Sequence, residues 1–212
     1  MRRLTISLVL MLITFCASAA TKSYDLKSPD GRLNVSVEVG DGVKYSIEHD
    51  GDLLMTNSNI GMFTTDGVVF GGAQPVVKAT RRSFCETIPT VVYKKSQVEN
   101  KFNELTLRFK KFSVVFRAYD DGMAYRFVSH LKKPADLQHE LVYFNFAQDW
   151  NMYATYTHKY QEGGLEAQYM DDFENVYKYT PITQWDVKHF GVLPLMVDCP
   201  NNVKLVIAES DL

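Results

Sequence analysis

Residues 117–128 of this chain read Arg-Ala-Tyr-Asp-Asp-Gly-Met-Ala-Tyr-Arg-Phe-Val, and they decide the fold class. Aromatic and aliphatic side chains on both sides of the centre are typical of paired β-strands. The central Asp120-Asp121-Gly122 has the composition of a tight turn. The stretch therefore predicts a β-hairpin, in which one strand ends at Tyr119 and the next begins near Ala124.

The same period of two recurs through much of the chain. Residues 33–39 alternate apolar and polar side chains, and after Gly40-Asp41-Gly42 the alternation continues over residues 43–47. Seven further segments have the composition of strands: 91–93, 105–109, 112–119, 124–128, 141–146, 192–197 and 203–208. The best helical candidate, residues 162–177, contains two glycines, so we expect one or two short turns there. Many short strands without intervening helices predict an all-β fold, an antiparallel β-sandwich.

The N-terminus has the features of a secretory signal peptide. Two arginines precede an apolar run over residues 4–15, and Ala17-Ser18-Ala19 follows as a cleavage site. The apolar run is shorter than the ~20 residues that a membrane-spanning helix needs. We expect cleavage near Ala19 or Ala20, which leaves residues 21–212 as one exported, periplasmic domain. Lipidation at Cys16 is the alternative, although Phe15 is bulky for the residue before a lipidated cysteine.

Composition and motifs exclude several classes of function. The formal net charge is −2, so the chain as a whole lacks a basic field for nucleic acid or an anionic membrane. The five histidines are not spaced as zinc ligands, and the sequence contains no nucleophile elbow, phosphate-binding loop or dinucleotide fingerprint. Nothing here forms a self-contained catalytic site. Cys85 and Cys199 remain after cleavage, and either a disulfide or two free thiols fits this spacing.

Three motifs together resemble one family. Residues 117–127 match the R-x-Y-x-D-G-x-A-Y-R-F segment in the N-terminal β-sandwich domain of glycoside hydrolase family 97. Ser28-Pro29-Asp30-Gly31 matches the opening S-P-D-G of that domain, and residues 207–212 resemble its (I/L)-(T/S)-E-A-D-L segment. The resemblance implies a galactose-mutarotase-like super-sandwich from an α-glucosidase or α-galactosidase of Bacteroidota.

The resemblance also implies what accompanies the domain. In the family this sandwich is longer and a catalytic TIM-type barrel follows it, so we expect residues 21–212 to be a C-terminally incomplete domain without its barrel. The expected partners are an α-linked oligosaccharide and that barrel. The whole enzyme would hydrolyse non-reducing α-linked sugars with inversion or retention, and this polypeptide alone would be inactive.

Glu209 is the candidate site residue. The resemblance implies that this glutamate reaches from the sandwich toward the barrel and coordinates calcium together with barrel carboxylates. Calcium prefers hard oxygen ligands, and a strand end is a rigid support for one. The competing interpretation is an ordinary solvated glutamate at the end of a strand. Without the other ligands, Glu209 should bind calcium weakly or not at all.

Residues 150–185 are rich in aromatic and acidic side chains. Flat aromatic rings stack on pyranose faces and carboxylates accept hydroxyl hydrogen bonds, so this composition suits a sugar-facing loop. A loop packed against a neighbouring domain explains the same tyrosines. The residues are Tyr153, Tyr156, Tyr160, Tyr169, Tyr177, Tyr179, Glu162, Glu166, Asp171, Asp172 and Glu174.

Two other functions fit an exported β-sandwich. The domain could bind carbohydrate or a partner protein by itself, without a catalytic barrel, or it could be a structural envelope protein. Asp120 and Asp121 could form an acid/base pair. Their position in a predicted turn explains them without catalysis, since aspartate bonds the backbone there and the glycine takes positive φ.

Overall fold

A computed structural model describes residues 21–157, 165–170 and 174–210. The predicted signal peptide, residues 1–20, lies outside the described residues, as do Tyr160, Glu162, Asp171 and Asp172. The strands are β1 (Lys22–Lys27), β2 (Leu33–Val39), β3 (Val43–His49), β4 (Asp52–Thr64), β5 (Val69–Phe70), β6 (Lys78–Pro89), β7 (Gln97–Arg108), β8 (Phe112–Tyr119), β9 (Gly122–Ser129), β10 (Leu137–Val142), β11 (Asn151–Tyr156), β12 (Lys178–Pro181), β13 (Gly191–Asp198) and β14 (Lys204–Ile207). Two short 3₁₀ helices span Leu165–Met170 and Ile182–Gln184.

The strands form three antiparallel sheets, so the predicted all-β class is confirmed. The first has the order β1-β2-β3-β4-β10, with β5 paired to β4. The second is the meander β6-β7-β8-β9, and the third has the order β12-β11-β13-β14. The helical candidate over residues 162–177 contains, in its described part, only the short helix Leu165–Met170.

The first two sheets pack face to face and enclose the main core. Burial alternates along β2, where Leu33, Val35, Val37 and Val39 are buried between partly exposed neighbours, as their spacing predicts. The facing side chains come from β7 and β8, which contribute Leu105, Leu107, Phe112, Val114 and Phe116. This arrangement is the sandwich that the alternation predicts.

Aromatic rings fill the centre of this core. The Phe116 ring lies 6.5 Å from Tyr45 of the opposite sheet and 6.0 Å from Tyr125 on the neighbouring strand. A second group stacks beside it, with 5.0 Å between the rings of Phe70 and Phe112. Rings at these separations add favourable edge and face contacts to the apolar area that they bury.

The third sheet has a smaller core of its own. Met152 and Ala154 on β11 pack with Val197 on β13, and Leu54 reaches into this group from the first sheet. Leu205 on β14 packs against both cores, and Phe146 does so as well. The third sheet is therefore anchored to the sandwich by apolar side chains that belong to both groups.

The hairpin that decides the fold class forms as predicted, with one correction. Tyr119 pairs with Gly122, so Asp120 and Asp121 make a two-residue turn. Gly122 opens β9 without the positive φ that we predicted for it. The Asp120 carboxylate instead accepts a hydrogen bond from the Asp30 backbone N–H, 2.8 Å away, and so joins the two turns that carry family motifs.

Parts of the strand prediction were wrong, and the strands β1, β4, β5, β6, β11 and β12 were not predicted. Residues 91–93 do not form a strand but lie in the loop between β6 and β7, where Val91 is 98% exposed. β4 and β6 were missed because neither shows a clean period of two. β4 contains register irregularities against its partners, and β6 is exposed along its whole length. Exposed edge strands carry no alternation that a sequence pattern could reveal.

A buried carboxylate ties three strands of the second sheet together. Glu104 on β7 is 6% exposed and accepts hydrogen bonds from Arg82 on β6 at 2.7 Å and from Arg117 on β8 at 2.9 Å. The Arg117 guanidinium also lies 4.3 Å from the centroid of the Phe102 ring. Arg117 therefore has a structural role on the β8–β9 hairpin, whereas Arg126 on β9 is exposed.

The two cysteines are separate and free. Cys85 lies exposed on β6, and Cys199 is buried beside the third sheet. Burial raises the pKa of the Cys199 thiol, which keeps it protonated and unreactive. Neither cysteine therefore contributes a covalent constraint to this fold.

Replacing Phe116 by alanine should strongly destabilise the sandwich. The side chain is fully buried against Tyr45 and Tyr125, and such a cavity costs about 3–5 kcal/mol. Urea unfolding followed by circular dichroism measures the loss. The matched control Val176→Ala removes a side chain that is 78% exposed and should change the free energy of unfolding by only about 0.5 kcal/mol. Equal losses in both variants would contradict this assignment of the core.

Glu104 should make the stability depend on pH. Hydrogen bonds from Arg82, and then from Arg117, hold the pKa of Glu104 below its ordinary value despite its burial. Its contribution is therefore present above the unfolded-state pKa of about 4.3 and is lost as the pH falls through the lower folded-state pKa. Glu104→Gln should cost about 1–3 kcal/mol at neutral pH and flatten the acid side of the stability profile. Urea midpoints measured from pH 7 to pH 3 test this, and an unchanged slope in the variant would contradict it.

Candidate functional site

Glu209 stands two residues beyond the end of β14. That strand is held by β13 through the pairs Leu195–Ile207 and Met196–Val206, and Ile207 is buried. The Glu209 side chain is exposed. A carboxylate is thus carried on the end of a rigid strand and remains accessible, as the sequence predicts.

Two further side chains are within electrostatic reach of Glu209. Glu140 lies on β10 of the first sheet, and Tyr125 lies on β9 of the second sheet. The negative charge of Glu209 acts on both of them, since it raises the pKa of each. Glu209 itself follows the third sheet, so this group lies where the three sheets meet.

The electrostatics of this group disfavour additional negative charge. Glu140 is exposed at the surface of β10, but partial desolvation raises its pKa, and the carboxylate of Glu209 raises it further. Burial, followed by the charges of Tyr45, Glu140 and Glu209, raises the pKa of Tyr125. Burial also raises the pKa of Tyr45 to about 12, so both hydroxyls stay protonated at neutral pH. Two carboxylates beside neutral hydroxyls form a site that a cation would stabilise.

Glu140 and Glu209 are the type of ligand that calcium binds, but two carboxylates are too few to form a calcium site. Calcium takes 6–8 oxygen ligands, and Glu140 and Glu209 are hard oxygen donors of the required type. Within residues 21–157, 165–170 and 174–210, the structure contains no group of three or more histidine, cysteine, aspartate or glutamate side chains that could hold a metal ion. A bound calcium would therefore need ligands from beyond this described group.

Glu140 was missed by the sequence analysis. It lies at the edge of the first sheet, where it pairs with Met62 of β4, and no motif marks it. The sequence neighbourhood, His139-Glu140-Leu141, is that of an ordinary strand. Only the arrangement of the three sheets brings residue 140 close to residue 209.

The described tyrosines of residues 150–185 make contacts within and beside the third sheet. Tyr153 and Tyr179 pair across β11 and β12 with ring centroids 4.4 Å apart, and both are exposed. The Tyr179 hydroxyl donates to Asp198 at 2.9 Å, and the Tyr177 hydroxyl donates to the Pro194 carbonyl at 3.0 Å. These contacts fit amphipathic side chains on a sheet surface.

The other aromatic side chains of this region have structural contacts. Tyr156 is buried with its ring 4.0 Å from that of Trp185, and its hydroxyl accepts a hydrogen bond from the Asp186 N–H. Tyr169 is 70% exposed and lies 4.9 Å from the ring of Phe190. Glu166 is exposed on the short helix, and Glu174 is exposed beyond it. The predicted sugar-facing role of these residues stays a prediction.

The predicted turn role of Asp120 and Asp121 agrees with their positions. Asp120 accepts from the Asp30 N–H and lies 3.9 Å from the Lys101 ammonium, so its carboxylate has structural partners. Both aspartates belong to a hairpin turn at the surface. They do not form the acid/base pair that two adjacent aspartates could otherwise represent.

Comparison with known proteins identifies the family. The family described as Glycosyl-hydrolase 97 N-terminal matches residues 26–212. This family match, together with the antiparallel sandwich fold, shows that the chain is a domain of a glycoside hydrolase. The chain belongs to glycoside hydrolase family 97, of which it represents the N-terminal domain.

A characterised relative and several solved structures are similar to this chain. A retaining alpha-galactosidase of Bacteroides thetaiotaomicron is 37% identical over 213 residues, which cover 100% of this chain. A beta-arabinopyranosidase superposes with a TM-score of 0.75 at 20% identity and covers 90% of this chain. A family 97 enzyme from Pseudoalteromonas sp. strain K8, in complex with acarbose, superposes with a TM-score of 0.68 at 20% identity. At this identity the two structures show the fold alone.

The chain spans about a third of the length of these proteins. It covers 32% of the alpha-galactosidase, 32% of the beta-arabinopyranosidase and 27% of the Pseudoalteromonas enzyme, and 85% of this chain superposes on the last of these. Among the residues that the structure describes, no helix is long and apolar enough to cross a membrane.

Removing the charge of Glu209 should lower the pKa of Glu140. In the unmodified chain, Glu209 adds to the raising effect of burial, so Glu209→Gln removes one of the two causes. Titration of the Glu140 side-chain carboxyl by NMR measures the change directly. The control Glu166→Gln alters an exposed glutamate that has no part in this shift and should leave the titration unchanged. An unchanged Glu140 titration in Glu209→Gln would show that the two carboxylates lie apart.

Proposed function

We propose that this domain serves an exported glycoside hydrolase that acts on α-linked galactosides or glucosides. The observation that carries the proposal is the 37% identity to a retaining alpha-galactosidase across this whole chain, together with the family match. The name of that relative favours the galactoside. The domain would help to shape the substrate pocket beside a catalytic domain that carries out the reaction.

Glu209 is the residue through which the domain would reach that pocket. It is exposed at the end of a paired strand, and the charge of Glu140 lies beside it. Two neighbouring carboxylates repel each other, and a divalent cation held between protein oxygens relieves this repulsion. We therefore infer that Glu209 supplies one calcium ligand and that the remaining ligands come from the catalytic domain. A calcium ion there would polarise substrate hydroxyls and stabilise charge that develops at the reacting oxygen.

The exposed aromatic surface of the third sheet is a second candidate sugar-binding surface. The Tyr153 and Tyr179 rings are exposed side by side, and Asp198 holds the Tyr179 hydroxyl. Exposed tyrosines of this kind suit stacking on pyranose faces. They support the alternative function, a stand-alone exported β-sandwich that binds carbohydrate without hydrolysing it.

Export and periplasmic location complete the proposal. They rest on the arginines, apolar run and cleavage site of residues 1–20. Edman sequencing of the secreted protein should begin at Ala20 or Thr21. A mature chain that begins at an acylated Cys16 would support the lipoprotein alternative instead.

Hydrolysis by the full-length enzyme that carries this domain tests the proposed function. We expect it to cleave p-nitrophenyl α-galactoside or α-glucoside, and a calcium chelator should abolish this activity reversibly. Glu209→Gln should reduce kcat/KM by at least about tenfold, because the loss of a metal-site carboxylate weakens both metal binding and the reaction. Restored activity at high calcium would separate weakened metal binding from misfolding.

The matched control for this experiment is Glu166→Gln. It makes the same chemical change at an exposed glutamate on the Leu165–Met170 helix, and kcat/KM should stay at the unmodified value. Chelator-insensitive hydrolysis would overturn the calcium role while leaving the hydrolase role intact. Tight binding of free oligosaccharide to this domain alone, lost in Tyr153→Ala, would support the stand-alone alternative.

A further inference from the structure

The hairpin β6–β7 extends far beyond the sheet to which it belongs. β8 pairs with β7 only as far as Asn103, so the six residue pairs from Phe84–Phe102 to Pro89–Gln97 form a two-stranded ribbon. At about 3.4 Å per residue, the ribbon projects roughly 20 Å past the end of β8. A two-stranded ribbon buries little of its own surface, so the side chains at its tip face outward.

Five of the exposed side chains of this ribbon and its tip are large and apolar, beside the exposed charged residues Glu86, Lys94, Lys95, Glu99 and Lys101. Val91 is 98% exposed, Val92 is 94% exposed and Tyr93 is 66% exposed, all in the loop at the tip. Phe84 and Ile88 are also exposed along the ribbon. Five large apolar side chains on one projecting hairpin are unusual for a surface that faces only water.

The charge at the tip is purely positive. Residues 87–98 contain Lys94 and Lys95 and no aspartate or glutamate. Valines, a tyrosine and two lysines together are the composition of a segment that lies in a membrane interface. The apolar side chains enter the headgroup boundary, while the lysine ammonium groups stay at the level of the phosphates.

The outer face of the second sheet carries the same sign of charge. The register places Lys78, Arg82, Arg108, Arg117 and Arg126 on the side opposite the core, and we call these five residues the basic face. The acidic side chain among them is Glu104, which Arg82 and Arg117 hold. Lys78, Arg108 and Arg126 are exposed, and in the described part of the chain no carboxylate pairs with them.

The basic face and the ribbon belong to one continuous surface. Phe84 and Ile88 follow Arg82 along β6 at intervals of two residues, so they continue the face outward to the apolar tip. On the ribbon Glu86 interrupts this face, and Asn100 donates a hydrogen bond to its carboxylate. Positive charge on the sheet and apolar side chains on the ribbon match an anionic lipid surface in both respects.

We propose that the basic face and the 91–95 tip dock this domain on a membrane that contains anionic phospholipids. The tip would insert its two valines and Tyr93 at the headgroup boundary, and the basic face would lie along the lipid phosphates. This interaction is independent of the proposed hydrolysis and needs neither calcium nor sugar.

Flotation with lipid vesicles tests the proposal on the full chain of 212 residues. Vesicles of phosphatidylcholine alone are compared with vesicles that contain about 30% phosphatidylglycerol, the anionic lipid. We expect the bound fraction to rise on the anionic vesicles and to fall between about 50 mM and 500 mM salt, because salt screens exposed charges. Equal binding to both kinds of vesicle would overturn the proposal, because apolar contacts alone, without the basic face, would then explain the binding.

Two double variants separate the tip from the basic face. Val91→Asp with Val92→Asp removes the apolar tip, and Arg108→Glu with Arg126→Glu reverses charge on the face. Each should lower the partition coefficient on anionic vesicles by at least about tenfold. None of these four residues touches Glu104, Glu140 or Glu209, so hydrolysis by the full-length enzyme should be unchanged.

Matched controls carry the same chemical changes elsewhere on the surface. Val176→Asp with Val187→Asp alters two exposed valines, and Lys22→Glu with Lys27→Glu makes the same change in net charge on β1. Both should bind anionic vesicles as the unmodified chain does. If the controls lose binding as strongly as the test variants, net charge or general apolarity is responsible and the proposal fails. Binding to a soluble polyuronate but not to vesicles would also overturn it, in favour of an acidic glycan.

Discussion

The burial of β8 on both faces is the constraint on which the rest of this structure depends. One face contributes Phe112, Val114 and Phe116 to the core against the first sheet. On the other face, Ser113 and Val115 are also buried, and Arg117 covers the strand by binding Glu104. β7 and β9 pair with the two edges of β8, and the first sheet closes over its core face.

The sandwich was predictable because its central strands obey a simple pattern. Alternation over residues 33–39 and 43–47 fixes which face of the first sheet is buried, and the hairpin at residues 117–128 fixes the pairing of β8 with β9. β6 escaped prediction because an exposed edge strand has no buried face to mark it. The Val91 to Tyr93 run was mistaken for a strand because apolar residues at a projecting tip have the composition of a core segment. Composition reports what a side chain prefers, and it does not report what surrounds that side chain.

The candidate site, too, was predictable only in part from the sequence. Glu209 was found from a motif at the end of a strand, because the residues on both sides of it are recognisable in the chain itself. Glu140 belongs to the same group through the packing of sheets whose strands are far apart in sequence, and no local pattern records such proximity. Likewise, the hydrogen bond from the Asp30 N–H to Asp120 joins two turns that are 90 residues apart, each recognisable alone.

If Glu209 binds the proposed calcium ion, that binding would depend on the integrity of the whole domain. Glu140 and Tyr125 belong to the first and second sheets and Glu209 follows the third, so the charge of Glu209 acts on both groups only when all three sheets have assembled. An ion held there would favour the fully assembled state over every partly folded one, since it binds only that state. Metal binding would then depend on complete folding as well as contribute to the reaction. A domain with a misplaced third sheet would lose its ligand before it lost its secondary structure.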